Sequence, residues 1–217
     1  ACALVGVIIG MINLTGVAAE LGGRIIAVGE KSLFLALLLT MVTCLVLGMG
    51  IPTIPNYIIT SSLAAPVLLQ LGVPLIVSHM FVFYYALLSE VSPPTALSCF
   101  AAAAITGGNP YRTTLYAWKY TLPAFIVPFM FTVDPRGVGI LLQGPIEPMA
   151  WTILTAFLGI TAIAAAVQNY FFRPTRIGER LMLLAAGFLM ILNVTVCDLV
   201  GIGLMAAAAL LQKFWPQ

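Results

Sequence analysis

The chain has 217 residues, 62% hydrophobic and 7% charged, with a formal net charge of +2 and a mean hydropathy of +1.12. A water-soluble domain carries about 25% charged residues, so this chain lacks the polar surface to stand free in water and reads as an integral membrane protein. The small net charge excludes a nucleic-acid partner, and the cations fall in short connections between apolar runs, where they set topology.

Residues 1–19 form an apolar run in which Gly6 and Gly10 offer a small-xxx-small face for close helix contact, interrupted at its far end by Asn13, Thr15 and Gly16. No basic leader or initiator Met precedes it, so the chain is expected to be a piece of a longer polypeptide. Residues 20–31, with Glu20, Arg24, Glu30 and Lys31, read as an interfacial connection. Residues 32–47 are an uninterrupted apolar helix, which at about 1.5 Å per residue nearly crosses the bilayer core. Two shorter apolar runs, 57–71 and 74–88, are joined through Gly72 and Pro74.

Residues 95–105 are rich in small side chains and make only about 17 Å of helix, the length of a re-entrant arm. Arg112, Tyr116, Trp118, Lys119 and Tyr120 mark an interface, and 121–133 is a short span containing Pro123 and Pro128, drawing length from residue 115 onward. A Gly/Pro loop at 134–148 precedes an ordinary transmembrane helix over 150–168. The last apolar run, 181–211, is expected to break at Asp198, Gly201 and Gly203, with Asn193, Thr195 and Cys197 beside the carboxylate. The loops 107–120 and 169–180 hold the cations and read as cytoplasmic, with 134–148 outside. Cys2, Cys44, Cys99 and Cys197 form no CxxC pair and read as small buried hydrophobes.

Two stretches interrupt helix where a bilayer demands it. The first, 47–57, contains Gly48, Gly50, Pro52 and Thr53; the second, 89–99, contains Glu90, Ser92, Pro93, Pro94 and Thr95. A break at membrane depth frees backbone amides and carbonyls, each costing several kcal/mol unless protein, water or an ion satisfies it. The pair therefore marks a buried site, or else two kinks that serve packing alone. Carbonyls around both breaks, with the hydroxyls of Thr53, Ser92 and Thr95, make a hard-oxygen set for Na⁺, with Gly50 supplying backbone, while helix N-termini after Pro52 and Pro94 would present amides to an anion.

Glu90 is an intramembrane carboxylate, suited to a proton relay or cation ligation, or else a wetted residue at a helix end. His79 reads as a hydrogen-bonded or interfacial residue, and Asp198 as a second buried carboxylate or part of a turn. No HExxH, GxSxG, phosphate-binding loop or GxGxxG is present, so neither an organic cofactor nor hydrolytic chemistry is indicated. What remains is translocation, with a membrane-embedded enzyme using Glu90 and Asp198 or a structural scaffold as alternatives.

The strings 48–53 (Gly-Met-Gly-Ile-Pro-Thr), 64–66 (Ala-Ala-Pro), 81–84 (Phe-Val-Phe-Tyr), 92–96 (Ser-Pro-Pro-Thr-Ala) and 125–131 (Phe-Ile-Val-Pro-Phe-Met-Phe) closely resemble the large membrane subunit of tripartite ATP-independent periplasmic (TRAP) transporters, nearest the C-terminal part of the fused-permease type. The resemblance implies an all-α, polytopic, elevator-type importer in the bacterial inner membrane, with broken helices and a re-entrant hairpin. It further implies Na⁺ as coupling ion, a carboxylate substrate, a periplasmic substrate-binding protein as partner and an inverted repeat in an N-terminal part of the permease. Proton coupling through Glu90 stays open. On this reading 1–133 belong to the transport domain, 134–148 form an external loop and 149–217 are additional transmembrane helices. The sodium and substrate positions implied are Gly48, Gly50, Pro52, Thr53, Glu90, Ser92, Pro93 and Thr95.

Overall fold

A computed structural model describes residues 7, 10, 11, 14–192 and 194–214. Cys2, most of the Gly6 to Gly10 face, Asn13 and Asn193 lie outside the described residues. The fold is all-α, 82% helical with no strand among the described residues, and it divides into two compact units, 1–118 and 119–217.

The first unit holds α1 (Val17–Gly29), α2 (Leu33–Leu47), α3 (Thr53–Gln70), α4 (Leu75–Leu88), a 3₁₀ turn (Ser89–Val91) and α5 (Leu97–Thr106); α6 (Pro110–Thr121) carries the chain onward. α2, α3 and α4 pack on one another, with α1 against α2 and α3. Their core includes Leu37, Cys44, Ile59, Leu68, Phe81 and Tyr85, all buried, with Phe81 edge-on to Tyr85 at a centroid distance of 4.9 Å. The expected interfacial connection over 20–31 is helix as far as Gly29, with only Glu30 and Lys31 in a turn. Glu20 and Arg24 are one turn apart within α1 and pair at 2.7 Å on its exposed face, a spacing that supports helix rather than ending it.

The second unit runs through a 3₁₀ segment (Leu122–Ile126), α7 (Val127–Val133), a further 3₁₀ segment (Pro135–Leu141), α8 (Ile146–Gln168), α9 (Ile177–Ile191) and α10 (Thr195–Phe214). The expected span over 121–133 is thus not one α-helix: it tightens to 3₁₀ around Pro123 and resumes as α-helix at Val127, with Pro128 in the first turn, where its missing N–H is tolerated. The last apolar run is divided into two helices, the first ending at Ile191 and the second beginning at Thr195, so that Asp198, Gly201 and Gly203 lie inside α10. Gly201 is a packing residue: a Cβ there would stand 2.8 Å from the Ala186 carbonyl oxygen of α9.

Close approach likewise joins α8 to α9. A Cβ on Gly187 would lie 2.8 Å from the Gly159 carbonyl oxygen and 2.3 Å from Ile163 Cγ1. Gly187→Ala is therefore expected to force the two backbones apart and lower stability by about 1–3 kcal/mol, read as a lower Tm in detergent. Gly178, with open space around its Cα, is the control. α8 and α10 are long and apolar enough to cross a bilayer; α2, α5 and the α4 segment are shorter apolar helices.

The connection after α8 is fixed by Glu179 at the start of α9. Glu179 accepts from the Arg176 amide at 3.0 Å and Gln212 Nε2 at 2.9 Å, and pairs with Arg173 at 3.1 Å, while Gln212 Oε1 accepts from the Phe172 amide. The arginines read as topology signals are thus also structural. Burial opposes ionisation of Glu179, but the Arg176 amide, Gln212 and Arg173 outweigh it and hold the carboxyl below its ordinary value of 4.5. Because the folded value is the lower one, its stabilisation is complete well above pH 4.5, declines as pH falls through that value and is gone below the folded value. Thermal midpoints between about pH 7 and pH 3 should show an acid-side loss that Glu179→Gln shrinks.

Candidate functional site

The first break is built from its sequence. α2 stops at Leu47 because Gly48 and Gly50 follow, Gly50 at φ +76°, and Pro52 then turns extended at φ −60° and ψ 153° to start α3 at Thr53. In the second, α4 tightens into the Ser89–Val91 turn, and Pro93, Pro94 and Thr95 carry the chain to α5. The turn at Gly72 folds α4 back on α3, so both breaks come to the same end of this helix pair.

Glu90 is the joint between them. Its Oε1 accepts hydrogen bonds from both the amide, at 2.6 Å, and the hydroxyl of Thr53, and its Oε2 accepts from Ser98 Oγ at 3.2 Å. Thr53 opens α3, so its amide is one of the donors a helix start leaves unpaired, and a carboxylate there is favoured by the helix dipole. One carboxylate thereby ties the start of α3 to the start of α5. The α3 N-terminus does not present this amide to an external anion, as the sequence suggested; Glu90 already takes it.

A second layer lies beneath. Asn56 is fully buried, and its Nδ2 donates to Ser89 Oγ at 3.0 Å and the Ala86 carbonyl at 3.2 Å; Ser89 Oγ donates to the same carbonyl at 2.7 Å. Gly48 packs against this pair so tightly that a Cβ would sit 2.2 Å from Asn56 Nδ2 and 2.4 Å from Ser89 Oγ. Asn56 and Ser89 belong to the two interrupted stretches, yet neither was singled out from the sequence. A lone Asn one turn into an apolar helix was the available signal.

The remaining expected residues divide. Ser92 is buried and its hydroxyl donates to the Leu88 carbonyl at 2.8 Å, which closes the helix end. Gly50, Pro52 and Pro93 are exposed, with nothing within 4 Å of the position a Gly50 Cβ would take. In these two stretches two buried atoms among the described residues have no hydrogen-bond partner, Thr95 Oγ1 and Asn56 Oδ1. Both are neutral oxygens that can accept or ligate, and leaving such an atom unmet costs about 1–3 kcal/mol. His79 is a bonded residue, its Nδ1 3.0 Å from the Tyr57 hydroxyl, with Tyr57 edge-on to Phe83.

Broken apolar helices joined at a carboxylate, beside buried neutral oxygens that lack hydrogen-bond partners, are the kind of arrangement on which membrane transport components build their sites. The family model described as "Tripartite ATP-independent periplasmic transporter, DctM component" matches residues 1–136, and the chain belongs to that family. The match contains both breaks, Glu90 and Asn56. No curated protein and no solved structure matches the chain.

Proposed function

We propose that the chain forms the part of a TRAP permease in which Na⁺ binding is coupled to import of a carboxylate substrate delivered by a periplasmic binding protein. The observation that carries this reading is the pair of unpartnered oxygens, Asn56 Oδ1 and Thr95 Oγ1, on either side of the Glu90 joint in sequence. Na⁺ takes neutral oxygen ligands, and a nearby carboxylate already held by three donors supplies negative potential without itself having to ligate. Gly50 and Pro52 leave backbone exposed at the rim, where a substrate can approach. Residues 1–133 would form the transport part and 149–217 extra helices, with 107–120 and 169–180 on the cytoplasmic side of the bacterial inner membrane.

The test is uptake into proteoliposomes containing the intact permease and its binding protein, with a panel of labelled organic acids under an inward Na⁺ or an inward H⁺ gradient. Uptake that requires Na⁺ and the binding protein is the expected result. Uptake driven by protons alone would transfer coupling to Glu90 and overturn the sodium assignment.

A further inference from the structure

The second unit holds a polar site that shares no residue with the Glu90 network and that lies, Arg136 apart, beyond the span matched by the family model. At the N-terminal ends of α8 and α10, a cleft of about 800 Å³ is lined by Arg136, Glu147, Trp151, Leu154 and Asp198. Asp198 is 2% exposed. Its Oδ2 accepts from Trp151 Nε1 at 3.1 Å, but its Oδ1 is buried with no partner at all. An unmet buried carboxylate oxygen is among the more costly defects a fold can carry, and the group that relieves it must bring an N–H or O–H, best with positive charge.

Arg136 is close enough to act on Asp198 electrostatically but is outside ion-pair distance, the ion pairs among the described residues being Arg24–Glu20 and Arg173–Glu179. The cleft therefore sets two carboxylates, Asp198 and Glu147, against one unpaired guanidinium. Its complement is a zwitterion, with an ammonium bearing N–H groups and an anionic group a few bonds away. α8 and α10, whose first turns make the cleft, are the two described helices long and apolar enough to span a bilayer, so the site falls at the membrane boundary. Trp151 and Leu154, 39% and 49% exposed, continue its wall as apolar surface toward the hydrocarbon.

We propose that this cleft holds the headgroup of an ethanolamine phospholipid, its ammonium on Asp198 and Glu147, its phosphate on Arg136 and an acyl chain along Leu154. A choline headgroup has no N–H for Asp198 Oδ1, an anionic glycerol headgroup brings no cation, and a free amine gains nothing from the apolar wall.

The test is native mass spectrometry of the purified permease equilibrated with equal amounts of ethanolamine, choline and glycerol phospholipids. Ethanolamine lipid should be retained about tenfold over choline lipid, and Asp198→Asn, which keeps an acceptor for Trp151, should cut that preference by a similar factor. Arg136→Gln, at the cleft wall, serves as the second variant should Asp198→Asn fail to fold, and is also expected to weaken retention. Equal retention of ethanolamine and choline lipids would overturn the proposal, as would retention of the ethanolamine lipid undiminished in Arg136→Gln. Thermal stabilisation by free ethanolamine in choline-lipid nanodiscs, matching that given by the phospholipid, would reassign the cleft to small amines and overturn the lipid assignment.

Discussion

Gly48→Ala is expected to lower stability by about 3–5 kcal/mol and to abolish transport, although it adds a single methyl group. The new Cβ would lie 2.2 Å from Asn56 Nδ2 and 2.4 Å from Ser89 Oγ, and neither neighbour can yield freely. Asn56 is held by the Ala86 carbonyl and Ser89, and Ser89 by the same carbonyl. Moving either leaves buried donors unpaired, at about 1–3 kcal/mol each, in addition to overpacking. Gly50→Ala is the internal control: no atom lies within 4 Å of its Cβ position, so only the left-handed backbone at φ +76° resists, costing about 1 kcal/mol. Thermal unfolding in detergent should separate the two by several degrees.

The second large effect is at Glu90. Glu90→Ala would strip the acceptor from the Thr53 amide, the Thr53 hydroxyl and the Ser98 hydroxyl together, uncoupling the start of α3 from that of α5. Hydrogen bonds to a charged group are worth about 1.5–3 kcal/mol, so loss of the set should reduce uptake by about a hundredfold or more. Glu90→Gln keeps an acceptor for Thr53 but removes the charge favoured at a helix start, and should fall between the two. Uptake rates for wild type, Gln and Ala in that order are the expected result. A Gln variant as inactive as Ala would instead give the charge itself the whole role.

How much of this was legible beforehand follows from which residues carry local signals. Gly48, Gly50, Pro52 and the Pro93–Pro94 pair mark their breaks because each constrains its own backbone, and both breaks are where the sequence put them. That the breaks are joined by Glu90 was not legible, since it depends on α4 folding back against α3 and on a hydrogen bond across 37 positions. Ser92 and Thr95 looked alike as hydroxyls next to prolines; one closes its own helix and the other is left without a partner.

The misreadings have a common cause. Gly201 and Gly203 were expected to break a helix, but a glycine inside a membrane helix can equally mark a close helix contact, and Gly201 does so against Ala186. Glu20 and Arg24 were read with Glu30 and Lys31 as a sign-balanced interfacial connection, whereas their spacing of four is that of a helical ion pair. The family resemblance, carried by the strings at 48–53, 64–66, 81–84, 92–96 and 125–131, was sound over the matched span, and it gave no information about the cleft at Asp198 beyond it.

The central claim is that the two breaks work as one unit, and a double-mutant cycle of Thr53→Val and Glu90→Gln tests it most directly, with sodium-driven uptake and its half-saturating Na⁺ concentration as readouts. If Glu90 acts through Thr53, the double variant should be no more impaired than the worse single variant, leaving a coupling energy of about 1 kcal/mol or more. Independent effects that multiply, with each variant shifting the sodium dependence by its own factor, would contradict the account and separate the two breaks into unrelated kinks.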